Sequence, residues 1–258
     1  MNFLEGSTAR LHNFINSLLI NIGVLPPLSS NVNKRFLYTV FWKFKSNLIT
    51  GLVSFLFLNP PKFINEHLKN SLSDWGKYPP AEAIPILNNA IMNYLQKRFK
   101  GSQNIIKNDN ILPVPGTREP LHLVGLIARN NNNKNGVAIV TNPFYHAWRL
   151  GGIESSSKIY WINANYKNNY NPDLDSIPKK VLSSADIMYL CFPSNPQGAT
   201  TDLNYLIKAI NLAREYNFII AFDECYIDIY RLNKSKPVGA LDALVKMGHS
   251  LDNVLIFN

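Results

Sequence analysis

From Gly136 onward, short apolar runs alternate with polar or amphipathic stretches. Gly136–Val140 and Lys158–Ile162 are strand-like, and Phe144–Leu150 between them reads as a short helix. Ile187–Phe192 is almost continuously apolar, the pattern of a strand covered on both faces. Asp202–Tyr216 places Leu203, Leu206, Ile207, Ile210 and Ala213 on one side of a helix. Phe218–Phe222 and Asn253–Phe257 are two further apolar strands. Strand and helix alternating through short connections predict an α/β fold. Its expected form is three-layered, with a mostly parallel sheet and helices on both faces.

The earlier half is less regular. Phe63–Trp75 has a helical period, and Gly76-Lys77-Tyr78-Pro79-Pro80 follows as a sharp loop. Ile86, Leu87, Ala90, Ile91, Tyr94 and Leu95 mark a second helix. Ile111–Val114 is a short strand candidate. A helix is expected from Arg118 towards Ala128, with Pro120 in its first turn, where proline is tolerated. Asn130–Asn135 reads as a polar surface loop.

Residues 1–60 have another texture and are read as a divergent, partly apolar N-terminal arm, with residues 61–258 forming the main domain. Phe36–Leu58 is apolar but carries Lys43 and Lys45, and its longest stretch without a charge, Leu48–Leu58, is too short to span a bilayer. Lysines near the centre of a membrane helix cost roughly 2.5–3.5 kcal/mol each. A buried strand and an arm against a partner are expected instead of a membrane anchor. No signal-peptide pattern is present, and no internal repeat.

Composition narrows the classes. Apolar residues make up 46% and charged ones 17% of the 258, which excludes global disorder and a coiled-coil rod. The net charge is +9, but the basic residues are scattered and no helix-turn-helix, finger or RNP-type pattern accompanies them, so no nucleic-acid partner is expected. Two cysteines, Cys191 and Cys225, cannot build a disulfide framework, and no Cys/His spacing reads as zinc. A reduced, cytoplasmic protein is expected. No G-x-G-x-x-G follows a strand, which argues against a nicotinamide enzyme.

Ligands of open parallel sheets bind beyond the carboxyl ends of the strands, and the polar residues of interest stand there. Gly116-Thr117-Arg118 opens a helix, where free N–H groups suit a phosphate; alone, such a start is more often a plain cap. Tyr145 has the flat face to stack on a ring, or it packs a rim. Asn195, between Ser194 and Pro196, is a turn residue whose amide can donate to an oxygen. Asp223 follows an apolar strand, and a carboxylate buried there needs a partner, such as a cationic ring nitrogen, unless it caps the next turn. Together they describe one ligand with a phosphate, a flat ring, a ring oxygen and a protonated ring nitrogen: pyridoxal 5′-phosphate.

With these motifs the chain resembles the fold type I, class I/II pyridoxal-phosphate aminotransferases. The stretches Gly76–Pro80, Leu112–Glu119, Asn142–Tyr145 and Phe222–Tyr226 are most similar to succinyldiaminopimelate transaminases of lysine biosynthesis. The likeness runs from about Pro61 to Asn258. It implies the large domain of the aspartate-aminotransferase fold, with the small domain largely missing. It implies that Gly116, Thr117 and Arg118 cradle the cofactor phosphate and that Tyr145 stacks on the ring. Asn195 and Tyr226 would bond the ring oxygen, and Asp223 would hold the ring nitrogen protonated. Tyr78 would reach the cofactor of the other subunit in a homodimer. The implied substrates are small amino and keto acids: glutamate and N-succinyl-2-amino-6-ketopimelate.

The family's Schiff-base lysine sits in a turn after the strand that matches Asn253–Phe257, so the resemblance implies that it lies beyond Asn258. Lys234, Lys236 and Lys246 stand in no such context. No catalytic residue is therefore expected within the chain, which reads as C-terminally truncated and inactive alone. A non-catalytic binding remnant and the N-terminal half of a split enzyme are the alternative readings. Phe57-Leu58-Asn59-Pro60 and Ala83–Asn88 also depart from the family pattern.

Overall fold

The computed structural model describes residues 61–77, 85–129, 136–155, 158–231, 233–248 and 251–258. The chain divides into two units, Met1–Tyr78 and Pro79–Asn258. The expectations for residues 1–60, the Tyr78 loop and Asn130–Asn135 lie outside the described residues.

In the first unit, helix α1 covers Lys62–Asn70 and a single 3-10 turn covers Leu72–Asp74. The helix read over Phe63–Trp75 is thus interrupted at Ser71, whose hydroxyl donates to the Leu68 carbonyl at 3.0 Å. Serine offers the backbone such local alternatives to a continued helix.

In the second unit, five parallel strands form one sheet in the order β2-β1-β3-β4-β5. They are β1 Val137–Asn142, β2 Lys158–Asn163, β3 Ala185–Cys191, β4 Ile219–Asp223 and β5 Val254–Phe257. Side chains alternate across the pleat, and the alternation sorts the core into two layers. Ile139, Met188, Leu190, Ile220 and Phe222 face one way, against α6 (Leu203–Glu215) and α7 (Ala240–Met247). Ala138, Val140, Ile187, Tyr189 and Ala221 face the other, against α3 (Arg118–Ala128) and α4 (His146–Ser155). Two shorter-range elements complete the unit: α2 (Pro85–Arg98), which packs Met92 and Leu95 on the first layer, and α5 (Lys179–Leu182).

Strand β3 is buried along its whole length, as its unbroken apolar run predicts. Helix α6 is capped by Asp202, whose carboxylate accepts from the Tyr205 N–H at 2.9 Å. Helices α3 and α4 cross with almost no side chain between them: a Cβ placed on Gly125 would lie 2.3 Å from the Gly151 carbonyl oxygen.

One expected strand is absent. Ile111–Val114 is irregular and joins no ladder, with Leu112 81% exposed. Pro113 lies within it and Pro115 follows it, neither with an N–H to donate, which removes donors a ladder needs. Helix α4 also starts later than read, at His146, because Pro143 follows the strand and the Tyr145 carbonyl accepts the first turn from Trp148 and Arg149.

Candidate functional site

Strand order dictates where a ligand fits. From β1 the chain passes to β2 on one side and then to β3 on the other, so the crevice opens at the carboxyl ends of β1 and β3. Tyr145 follows β1, Asn195 follows β3, and Asp223 ends the neighbouring β4.

Asp223 has the best-defined surroundings. It stands two residues beyond Ala221, on the face covered by α3 and α4, and is 4% exposed. The Trp148 indole donates from Nε1 to Asp223 Oδ2 at 3.1 Å, and the Cys225 N–H donates to Oδ1 at 3.4 Å. Burial pushes the Asp223 carboxyl above the usual carboxylate range, and hydrogen bonds from Cys225 and Trp148 oppose the rise. An acid so held needs a cationic or N–H partner at the sheet edge to be stable in its charged form.

Trp148 ties this acid to Tyr145. Its ring stands edge-on to Tyr145 at 5.9 Å and stacks on Tyr189 at 6.5 Å. Tyr145 is half-buried against the same layer. Beyond the ends of β3 and β4, Asn195 Nδ2 donates to Tyr226 Oη at 3.4 Å. The Asn195 turn is set by Ser194, whose N–H donates to the Ala199 carbonyl at 2.8 Å and whose hydroxyl accepts from the Ala199 N–H at 3.0 Å. Asn195 and Tyr226 line a cleft of about 850 Å³ with Arg231 and Lys234.

Gly116-Thr117-Arg118 stands at the start of α3, which packs on α4 and touches β3 and β4. It follows the irregular Ile111–Val114 segment, not a strand end. Gly116 has φ +134°, a region that favours glycine, and a Cβ there would meet nothing within 4 Å. Thr117 makes no side-chain cap, and the N–H groups of Arg118 and Glu119 in the first turn have no intrahelical acceptor. That leaves donors for an anion.

The structure thus brings Asp223 and Tyr145 together through Trp148, and Asn195 together with Tyr226. Gly116, Thr117 and Arg118 stand at the start of α3, and Tyr78 lies outside the described residues. Lys234, expected only as a polar-loop residue, lines the cleft.

Trp148 and Glu224 escaped the sequence reading. A tryptophan in an apolar helix gives one cue, since a buried indole N–H needs an acceptor. Glu224 is 1% exposed, accepts from the Ala240 N–H at the start of α7 at 2.5 Å, and is pushed by burial up to about 8. Among the described residues no cluster of His, Cys, Asp and Glu is arranged to hold a metal ion, and no helix is long and apolar enough to cross a membrane.

The residues present suit pyridoxal phosphate: an acid with both oxygens held at a strand end, an aromatic beside it, an amide–phenol pair across the crevice, and a glycine-led helix start. Comparison with known proteins gives the family. The family model for aminotransferase class I and II matches residues 43–256, starting upstream of Pro61. The LL-diaminopimelate aminotransferase of Aquifex aeolicus is 30% identical over 203 residues, 74% of this chain and 50% of the relative. That of Dehalococcoides mccartyi is 29% identical over 188 residues, 72% of this chain and 47% of its own length. Among solved structures, an aminotransferase from Neisseria meningitidis superposes with a TM-score of 0.69 at 32% identity, covering 77% of this chain and 50% of that one. The aminotransferase AspB from Helicobacter pylori gives 0.69 at 29% identity, covering 78% and 51%. This chain spans about half the length of the curated relatives it matches. From the parallel sheet, the crevice residues and the family match it follows that the chain belongs to the class I and II aminotransferases.

Proposed function

We propose that this chain carries the cofactor-holding part of a pyridoxal-phosphate-dependent transaminase. The observation that carries the reading is Asp223, buried at the end of β4 with both carboxylate oxygens hydrogen-bonded and the edge of the sheet before it. When bound, the cofactor supplies an electron sink for the pair left at the substrate α-carbon. Asp223 keeps a proton on the ring nitrogen and so maintains that sink. Tyr145 orients the ring by stacking, and Asn195 and Tyr226 hold the ring oxygen from the far side of the crevice. Gly116, Thr117 and Arg118 receive the phosphate at the positive end of α3. Tyr78 belongs to the matching site of a second subunit, and the working assembly is a homodimer.

The relatives named LL-diaminopimelate aminotransferase support a substrate of the diaminopimelate class. The likeness of Leu112–Glu119 and Phe222–Tyr226 to succinyldiaminopimelate transaminases supports the narrower pair, glutamate and N-succinyl-2-amino-6-ketopimelate. The net charge of +9 favours the approach of such multiply anionic molecules. Two free cysteines, Cys191 and Cys225, accord with a cytoplasmic protein.

The test is titration of the 258-residue chain with pyridoxal 5′-phosphate, followed by absorbance. Micromolar binding is expected for the wild type, with at least a tenfold loss in Asp223→Ala. Borohydride treatment and peptide mapping should find no cofactor fixed to a lysine of this chain; a label on Lys234 would make that residue the covalent anchor. Equal binding by wild type and Asp223→Ala would overturn the reading. Calorimetry of the loaded chain with LL-diaminopimelate and its N-succinyl derivative separates the two substrate assignments.

A further inference from the structure

The neighbours of Asp223 in the chain and in register on the next strand carry no positive charge. Cys191 stands in register with it on β3, and Glu224, Cys225 and Tyr226 follow it in the chain. None of these is a cation. The carboxylate must therefore be supported by hydrogen bonds; Cys225 supplies some of them, and α4 supplies another, with Trp148 Nε1 at 3.1 Å from Oδ2. Trp148 itself cannot readily turn. It is 1% exposed, stacked on Tyr189 with ring planes 17° apart and edge-on to Tyr145. From the loop, the Cys225 N–H reaches Oδ1 at 3.4 Å, and the Cys225 thiol, pushed up to about 12 by burial and by Asp223, stays protonated and bonds the same carboxylate.

We propose that Trp148 is a positioning residue of the cofactor site: its indole N–H holds the Asp223 carboxylate charged and aimed at the crevice, while the same ring sets the angle of Tyr145. The inference rests on the cofactor reading above for its purpose, but the grip on Asp223 belongs to the chain alone. A single rigid side chain thereby fixes both protein contacts of the cofactor ring on this side of the sheet. An indole donor is suited to the task because it cannot ionise or accept a proton, so the carboxylate is the only group of the pair that titrates.

The test replaces the N–H and keeps the shape. Site-specific incorporation of benzothienylalanine at position 148 substitutes sulfur for the indole N–H with little change in volume. The titration of Asp223 is followed by carboxyl ¹³C resonance in the ligand-free chain, assigned with Asp223→Asn. The expected result is an upward displacement of the midpoint by about one pH unit, a tenfold change in proton affinity, with unchanged thermal unfolding. Pyridoxal-phosphate affinity should fall by about tenfold in the same protein. In the wild type, the Trp148 indole proton resonance should move with the same midpoint as the Asp223 carboxyl, which checks the bond without any variant. An unmoved carboxyl midpoint, or an indole resonance flat across the Asp223 titration, overturns the proposal. If the wild type binds no pyridoxal phosphate, the cofactor reading falls while the carboxyl and indole titrations still decide the role of Trp148.

Discussion

Glu224 shows how much one buried carboxyl can control. Its Oε1 accepts from the Ala240 N–H at the start of α7, which favours the charge, yet complete burial outweighs this and raises it from 4.5 to about 8. The fold therefore prefers the protonated acid. Its contribution is fully present below the unfolded value near 4.5 and is lost as pH rises through about 8. We predict that wild-type stability falls over that window by up to about 5 kcal/mol relative to Glu224→Gln, which keeps the acceptor and cannot ionise. Urea unfolding of both proteins at pH 5 and pH 9 checks this; parallel pH profiles would contradict it. Tyr189 makes a second case. Its hydroxyl is buried and has no hydrogen-bond partner, and Gly151 packs so close that a Cβ there would lie 2.6 Å from it. Tyr189→Phe removes a desolvated group that gains nothing, so stability should be unchanged or rise by about 1 kcal/mol. Denaturation midpoints decide it. Neither residue was legible in the sequence, where Glu224 is one acid beside another and Tyr189 one aromatic in an apolar run. Asp223 was legible because its charge interrupts such a run at the strand's end.

Among the elements, those with a strong internal period were readable and those fixed by a neighbour were not. Strands β3 and β4 and helix α6 follow from their patterns within one or two residues. The Ile111–Val114 segment has strand-like residues but contains Pro113 and is followed by Pro115, which deprive it of ladder donors. The contact of α3 with α4 was invisible, because a glycine in a helix pattern does not announce what approaches it. This contact makes a prediction with a contested sign. Gly125→Ala improves helix propensity by about 1 kcal/mol. Against that, the new Cβ would lie 2.3 Å from backbone of Gly151, where no side chain can swing aside. Forcing the helices apart costs about 1–3 kcal/mol, so net destabilisation is expected. It should be accompanied by weaker pyridoxal-phosphate binding, since α3 carries Gly116–Arg118 at its start and α4 carries Trp148. Chemical denaturation with a cofactor titration tests both; a stabilised variant would show that the helices are free to separate.

At the scale of the Pro79–Asn258 unit, the parallel order of the sheet was legible from strand alternation. The ties that close it are long-range and were not. Arg98, at the end of α2, has a side chain only 6% exposed and donates from Nε to Asp228 Oδ1 at 2.7 Å and from Nη2 to the Pro237 carbonyl at 2.8 Å. Tyr94, one turn earlier, donates to Asp228 Oδ2 at 2.7 Å and is raised to about 12 by burial and by this bond to the carboxylate. Tyr94 also reaches Asn258 at the end of β5, at 3.4 Å. Two side chains on one helix thus hold both ends of the 228–237 segment that forms the wall of the Asn195–Tyr226 cleft. Asp228 is 46% exposed, so water compensates it when its partner is removed. The main loss in Arg98→Ala is then the pair of charge-assisted bonds, about 2–3 kcal/mol in all. Arg98→Lys should recover little of this, because a single ammonium cannot serve a carboxylate and a carbonyl in the fixed fork that guanidinium provides. If the segment is held chiefly by this fork, hydrogen exchange should accelerate at residues 228–237 in both variants while β3 stays protected. Exchange that rises uniformly across the sheet would instead mean that Arg98 supports the whole core and not the cleft wall.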